Sequence, residues 1–169
     1  RATMMAAVAR IAAAVSVPVT ADVEAGYGPA PEDVAATVRD LLAIGVVGGN
    51  FEDGGGGPAA KMIDVETASA RIAAARRAAD AAGVKFVVNA RTDALLRVAD
   101  KAAAVDEAIA RLNAYRRAGA DCLFAPFTAD PAVIGRLAKA VAGPLNIILQ
   151  PSIAVAEMAA LGVARISLG

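Results

Sequence analysis

Apolar positions recur along the chain in two alternating rhythms. Alanine-rich stretches with Arg, Glu or Asp along one side have the period and propensity of helices. Between them lie short β-branched or apolar runs bounded by Gly, Pro or Asp, as buried strands do. The pattern predicts helices at 2–15, 31–43, 64–82, 101–118, 130–141 and 152–161, and strands at 17–21, 46–51, 85–90, 121–125, 145–149 and 164–168. Gly45, Gly83, Gly119, Gly143 and Gly162 each follow a helical stretch, where a left-handed cap belongs, and Pro31, Pro131 and Ser152 stand at helix starts. Uninterrupted α/β alternation of this kind gives a parallel sheet, with function at the C-terminal ends of its strands.

Those ends are polar. Asp22 and Glu24 follow the first strand, Glu52 and Asp53 the second, and Asn89, Arg91 and Asp93 lie at or after the third, with Asn146 in the fifth. Side chains alternate with period two, so Asp22 shares a face with Glu24, Asn50 with Glu52, and Asn89 with Arg91. On neighbouring strands about 4.8 Å apart, the carboxylates of Asp22, Glu24 and Glu52 crowd one another. Like charges that close call for protons or a cation, and all-oxygen donors select a hard one, Mg²⁺ first and Mn²⁺ second. Single acids after strands are more often helix caps or solvated loop residues, which is the reading given to Asp53 and Asp93. The shared edge of Asp22, Glu24, Glu52 and Arg91 favours a site.

Composition narrows the chemistry. The 169 residues are 57% hydrophobic and 20% charged, which predicts a single globular domain over 1–169. A net charge of zero removes any overall pull toward nucleic acid or an anionic membrane. Histidine is absent, which excludes the Ser-His-Asp triad and HExxH zinc sites. The one cysteine, Cys122, sits inside a strand-like run and reads as a small buried thiol; without a disulfide, signal peptide or membrane span, a cytoplasmic location is the default expectation. Arg71, Arg76, Arg77, Arg111, Arg116 and Arg117 read as solvated helix faces and ion-pair partners.

The segments VPVTADVEAGYG, GVVGGNFEDG, VVNARTD, AGADCLFAPF, PLNIILQP and GVARISLG occur in that order. Together they resemble the isocitrate lyase and phosphoenolpyruvate mutase superfamily over essentially the whole chain. The resemblance implies a TIM-type (β/α)8 barrel, of which the six strands correspond to the family's third to eighth. It implies a Mg²⁺-dependent enzyme acting on a small 2-oxo or dicarboxylic acid through an enolate-like state, making or breaking a C–C or P–C bond. A phosphonomutase or hydrolase of the same superfamily, or a non-catalytic metabolite-binding relative, are the alternatives. Asp22 and Glu24 match the acids of the family's D-x-D-x-G-[YF]-G signature, Glu52 the metal-site acid of its E-D segment, and Arg91 the substrate-binding arginine of A-R-T-D. Arg91, Glu52 and Asn89 are thereby the candidate catalytic groups, with Asn89 and Asn146 orienting substrate oxygens. A homo-oligomer, dimer or tetramer, is expected of the full-length protein.

Two departures bear on the reaction. Glu24 stands where the family's lyases and mutases have aspartate, one methylene longer in reach. The stretch GGGGPAAKMIDVETA, residues 54–68, occupies the gating-loop position without the lyases' K-[KR]-C-G-H, so a cysteine-dependent lyase mechanism is not expected. Its glycines match neither phosphate-loop pattern and read as a mobile lid over about 54–66, with Lys61 as a candidate substrate contact. A closed barrel needs eight strands and typically about 250 residues, so the chain is expected to be part of a longer protein.

Overall fold

A computed structural model describes residues 1–55 and 61–168. In chain order the elements are α1 (Ala2–Ala14), β1 (Ala21–Asp22), α2 (Pro31–Ala43), β2 (Gly48–Glu52), α3 (Val65–Ala81), β3 (Val87–Arg91) and α4 (Ala94–Arg97). They continue with α5 (Lys101–Arg117), β4 (Cys122–Phe124), α6 (Pro131–Ala140), β5 (Leu145–Ile148), α7 (Val155–Ala160) and β6 (Val163–Ser167). The six strands form one sheet in sequence order, each parallel to its neighbours. The sheet curls into a half-barrel, the partial TIM-type architecture expected.

One strand face meets the helices. Val88, Ala90, Leu123, Leu145 and Ile147 from the sheet join Val38 and Leu41 of α2, Leu112 of α5 and Ile134 and Leu137 of α6 in a single core. The α3 helix contributes mostly alanine, with Ala68, Ala74, Ala75, Ala78 and Ala79 buried, and these small side chains let it lie close against its neighbours. Asp64, Asp100 and Asp130 cap helices, accepting from the amides of Thr67, Ala103 and Ala132. Among the described residues no helix is long and apolar enough to cross a membrane.

The structure departs from the sequence expectation in four places. The first strand is two residues long, not 17–21: Pro18 lacks an N–H, and pairing with β2 starts only at Ala21. The four-residue α4 is too short to leave a periodic trace. Helix α7 begins at Val155 with Ala154 before it, so Ser152 is not its cap. Gly45, Gly83, Gly119 and Gly162 take the left-handed conformation after their helices, but α6 runs into extended backbone at Val141. There Asn113 does Gly143's expected work, donating to the Ala140 carbonyl at 3.0 Å and accepting from the Ala142 amide at 2.8 Å.

Candidate active site

The segment after β1 is built from unusual backbone. Glu24 and Tyr27 both adopt positive φ, 52° and 59°, as does Gly26 at 88°. Conformations that cost an ordinary residue energy persist only where the surroundings over-determine them. Here the carbonyls are held from behind. The Glu24 carbonyl accepts from the Glu52 amide at 2.9 Å and that of Gly26 from the Thr37 hydroxyl at 2.9 Å. The Arg71 guanidinium donates to the carbonyls of both Ala25 and Pro29, the latter at 2.6 Å. With the carbonyls turned inward, Asp22 and Glu24 are left exposed, and the Asp22 Oδ1 accepts from the Glu24 amide at 2.9 Å. Gly28 serves close approach: a Cβ there would lie 2.3 Å from the Asp33 Cγ, whose carboxylate accepts from the Ala30 amide at 2.9 Å.

Strand register brings the candidates into rows. Asp22, Asn50 and Asn89 are successive partners across β1, β2 and β3, and Glu52, Arg91, Phe124 and Asn146 across β2 to β5. Arg91 donates from Nε to Asp93 at 2.8 Å, its Nη1 stands 3.0 Å from a Glu52 oxygen, and its guanidinium carbon lies 5.2 Å from the centre of the Phe127 ring. Glu52 is held up at about 7, first by burial, which outweighs the pull of Arg91 and is reinforced by Asp93, Asp22 and Glu24. Asn89 is buried; its Nδ2 donates to the Asn50 Oδ1 at 2.7 Å while its own Oδ1 has no partner. Asn146 is fully buried with its amide engaged on both sides by the Ser167 hydroxyl, at 3.0 and 3.2 Å. The Cys122 thiol donates to the Pro144 carbonyl and burial pushes its pKa up, in keeping with an inert thiol.

The expected lid lies partly outside the described residues, at 56–60. On its flanks, Gly54 and Met62 form an antiparallel bridge, the Ile63 amide donates to the Asp53 carbonyl at 2.8 Å, and Lys61 is exposed. Asp64 to Glu66 already belong to the cap and first turn of α3.

Two readings of charged residues are corrected. Asp53 and Asp93 are neither caps nor solvated. Asp53 is 1% exposed and accepts from the Thr92 hydroxyl at 2.8 Å, the Asp93 amide at 2.8 Å, the Tyr115 hydroxyl at 2.6 Å and Arg111 at 3.2 Å. Asp93 makes no cap bond at α4 and bridges Arg91 and Arg97. Arg71 and Arg111, expected on solvated faces and in ion pairs, are buried, though Arg111 does pair with Asp53 and Glu107. The signal was present, because each shares three- and four-residue spacing with buried positions: Arg71 with Ala68 and Ala75, and Arg111 with Ala108 and Tyr115. A buried arginine finds its partners through the fold, which spacing alone does not reveal.

Whether these residues suit a divalent cation rests on their donors. Among the described residues no three acidic, His or Cys groups stand close enough to enclose an ion. Mg²⁺, however, keeps several waters and needs only one or two carboxylates. The oxygen-only set of Asp22, Glu24 and Glu52, coupled closely enough that the first two raise the proton affinity of the third, and the orphaned acceptor of Asn89 in the Asp22 row fit such an ion.

The whole chain, residues 1–169, matches the family model described as phosphoenolpyruvate phosphomutase. An uncharacterised protein of Mycobacterium tuberculosis is 34% identical over 153 residues, covering 89% of this chain and 54% of that one. A solved Burkholderia cenocepacia protein, presumed to be a phosphonomutase, superimposes with a TM-score of 0.94 at 44% identity over 99% of this chain and 68% of its own. A solved 2,3-dimethylmalate lyase superimposes with a TM-score of 0.86 at 32% identity over 98% and 58%. The chain spans about half the length of the curated relatives it matches.

Proposed function

Because the chain belongs to the phosphoenolpyruvate phosphomutase family, we propose that it forms the metal- and substrate-binding part of an enzyme acting on a small 2-oxo or dicarboxylic acid, making or breaking a C–C or P–C bond through an enolate-like state. The observation that carries this reading is Arg91. Its guanidinium is gripped by Glu52 and Asp93 and backed by the Phe127 ring, at the strand end that also bears Asp22. A guanidinium fixed in this way offers a planar fork to a substrate carboxylate or phosphonate.

Asp22 and Glu24, with Glu52, would hold Mg²⁺. When bound, the ion supplies positive charge where negative charge develops on a substrate oxygen. Arg91 binds and orients the acid group. Glu52 and Asp93 fix the angle of that fork, and the unpartnered Oδ1 of Asn89 accepts from a substrate or water hydroxyl. A lyase that protonates its product from a lid thiol is disfavoured, since Cys122 is buried in β4 and residues 54–68 contain no cysteine. That favours a phosphonomutase or a hydrolase within the family as the second reading.

Turnover of oxaloacetate, phosphonopyruvate and 2-methylmalate-type acids by the full-length protein, with Mg²⁺ and with EDTA, tests the proposal. Metal-dependent consumption of one of them is expected. Tight binding without turnover of any would leave a metabolite-binding protein in place of an enzyme.

A further inference from the structure

We infer that Arg71, in the first turns of α3, is the positioning residue for the Asp22–Gly28 loop and sets its affinity for a divalent cation; the cation part rests on the function proposed above. Arg71 is 6% exposed, yet among the described residues no carboxylate pairs with it, and Asp33 acts on it only from a distance. Burying an arginine without a counter-charge is costly, and burial lowers its pKa accordingly. What the side chain gains is two main-chain carbonyls four residues apart, Ala25 and Pro29. These bracket Gly26 and Tyr27, whose positive φ angles would otherwise relax. The planar fork reaches the two carbonyls from separate nitrogens, Nη1 and Nη2, in a fixed geometry that a single ammonium nitrogen does not reproduce.

Arg71 also lines a small cavity shared with Glu52, Asp53, Arg91 and Tyr115, about 10 Å³ and room for one water. Arg71 therefore stands between the loop bearing Asp22 and Glu24 and the strand end bearing Glu52. It touches none of their carboxylates by hydrogen bond and fixes where the backbone presents two of them. Thr37 holds the intervening Gly26 carbonyl but leaves both flanks of the turn to Arg71.

The test uses full-length wild type, Arg71→Lys and Arg71→Ala, the last with and without methylguanidinium. Calorimetric titration of Mg²⁺, paramagnetic resonance of bound Mn²⁺ and hydrogen exchange over residues 23–29 are the readouts. Both variants are expected to bind Mg²⁺ about 10- to 100-fold more weakly, the range seen when outer-sphere partners are removed, with a broadened Mn²⁺ signal and faster exchange in the loop. Methylguanidinium should restore affinity to Arg71→Ala and leave wild type unchanged. Affinity within twofold of wild type in Arg71→Lys, or methylguanidinium restoring thermal stability but not affinity, overturns the inference. Wild type that binds no Mg²⁺ instead refutes the proposed function and the cation part with it, and exchange over 23–29 then decides whether Arg71 positions the loop.

Discussion

The Tyr115 hydroxyl donates to the Asp53 carboxylate at 2.6 Å across 62 residues of sequence. That contact anchors α5 beneath the end of β2, and burial beside Asp53 raises the phenol well above the usual tyrosine range, so it remains a donor. Through the Asp93 amide the same carboxylate reaches the residue that grips Arg91.

Tyr115→Phe removes one of the donors to Asp53 and leaves Arg111, Thr92 and the Asp93 amide in place. A loss of about 1–2 kcal/mol in urea unfolding is expected. Asp53→Ala leaves the Thr92 and Tyr115 hydroxyls and the Asp93 amide without their acceptor and leaves Arg111 with Glu107 as its remaining carboxylate, and should cost about 3–5 kcal/mol. Similar losses for the two changes would mean that Asp53 is not the hub of this network.

Gly28→Ala tests close approach against backbone freedom. The added Cβ would lie within 2.4 Å of the Asp33 Cβ and Cγ and would displace that side chain from the Ala30 amide, costing at least about 1 kcal/mol, the worth of a helix-terminal side-chain bond. In an Asp33→Gly background, which removes the Asp33 Cβ 2.4 Å away as well as the carboxylate, nothing remains to displace, so the cost of Gly28→Ala should largely vanish. Gly45→Ala, with φ of 80° and open space around its Cβ, should cost roughly 1–2 kcal/mol in either background. Additive behaviour of the first pair in thermal melts would show that Gly28 is needed for conformation instead.

Most of the architecture was legible because it is local. Helix and strand periods, Pro31 and Pro131 at helix starts and four of the five cap glycines each depend on a few adjacent residues. The strand-end polar row was legible too, since period two and parallel order gather Glu52 and Arg91 at one edge, although only the register sets them opposite each other. What escaped depends on distant partners. Asp53 looks the same in sequence as the capping Asp64, and only the arrival of α5 with Arg111 and Tyr115 turns it into a buried acceptor. Asn146 shows the converse: its row was foreseen, but its engagement by Ser167 requires β6 to lie alongside.

The raised proton affinity of Glu52 predicts a slope in metal-free stability against pH. Its folded value of about 7 lies above the ordinary 4.5, so the folded state holds a proton that the unfolded chain has released between these limits. Stability in EDTA should therefore fall as pH rises from about 4.5 to 7 and level off above, relative to Glu52→Gln, which has no such proton to hold. A flat difference between the two melting profiles over that window would show that Arg91 overcomes burial and keeps Glu52 ionised.

Asp22→Asn asks whether the acids at the end of β1 exist for a cation. The amide keeps an oxygen able to accept from the Glu24 amide, so the turn it closes should survive, while the ligand charge is gone. Without metal, Asp22 is one of the charges that burden Glu52, and its removal should leave stability unchanged or slightly higher. Mg²⁺ affinity of the full-length protein, by calorimetry, should fall at least tenfold, since a hard cation with few protein ligands depends strongly on each carboxylate. A purely structural role gives the opposite pattern, with about 1 kcal/mol of stability lost and Mg²⁺ binding intact. That result would remove Asp22 from the metal site and leave Glu24 and Glu52 to account for any binding that remains.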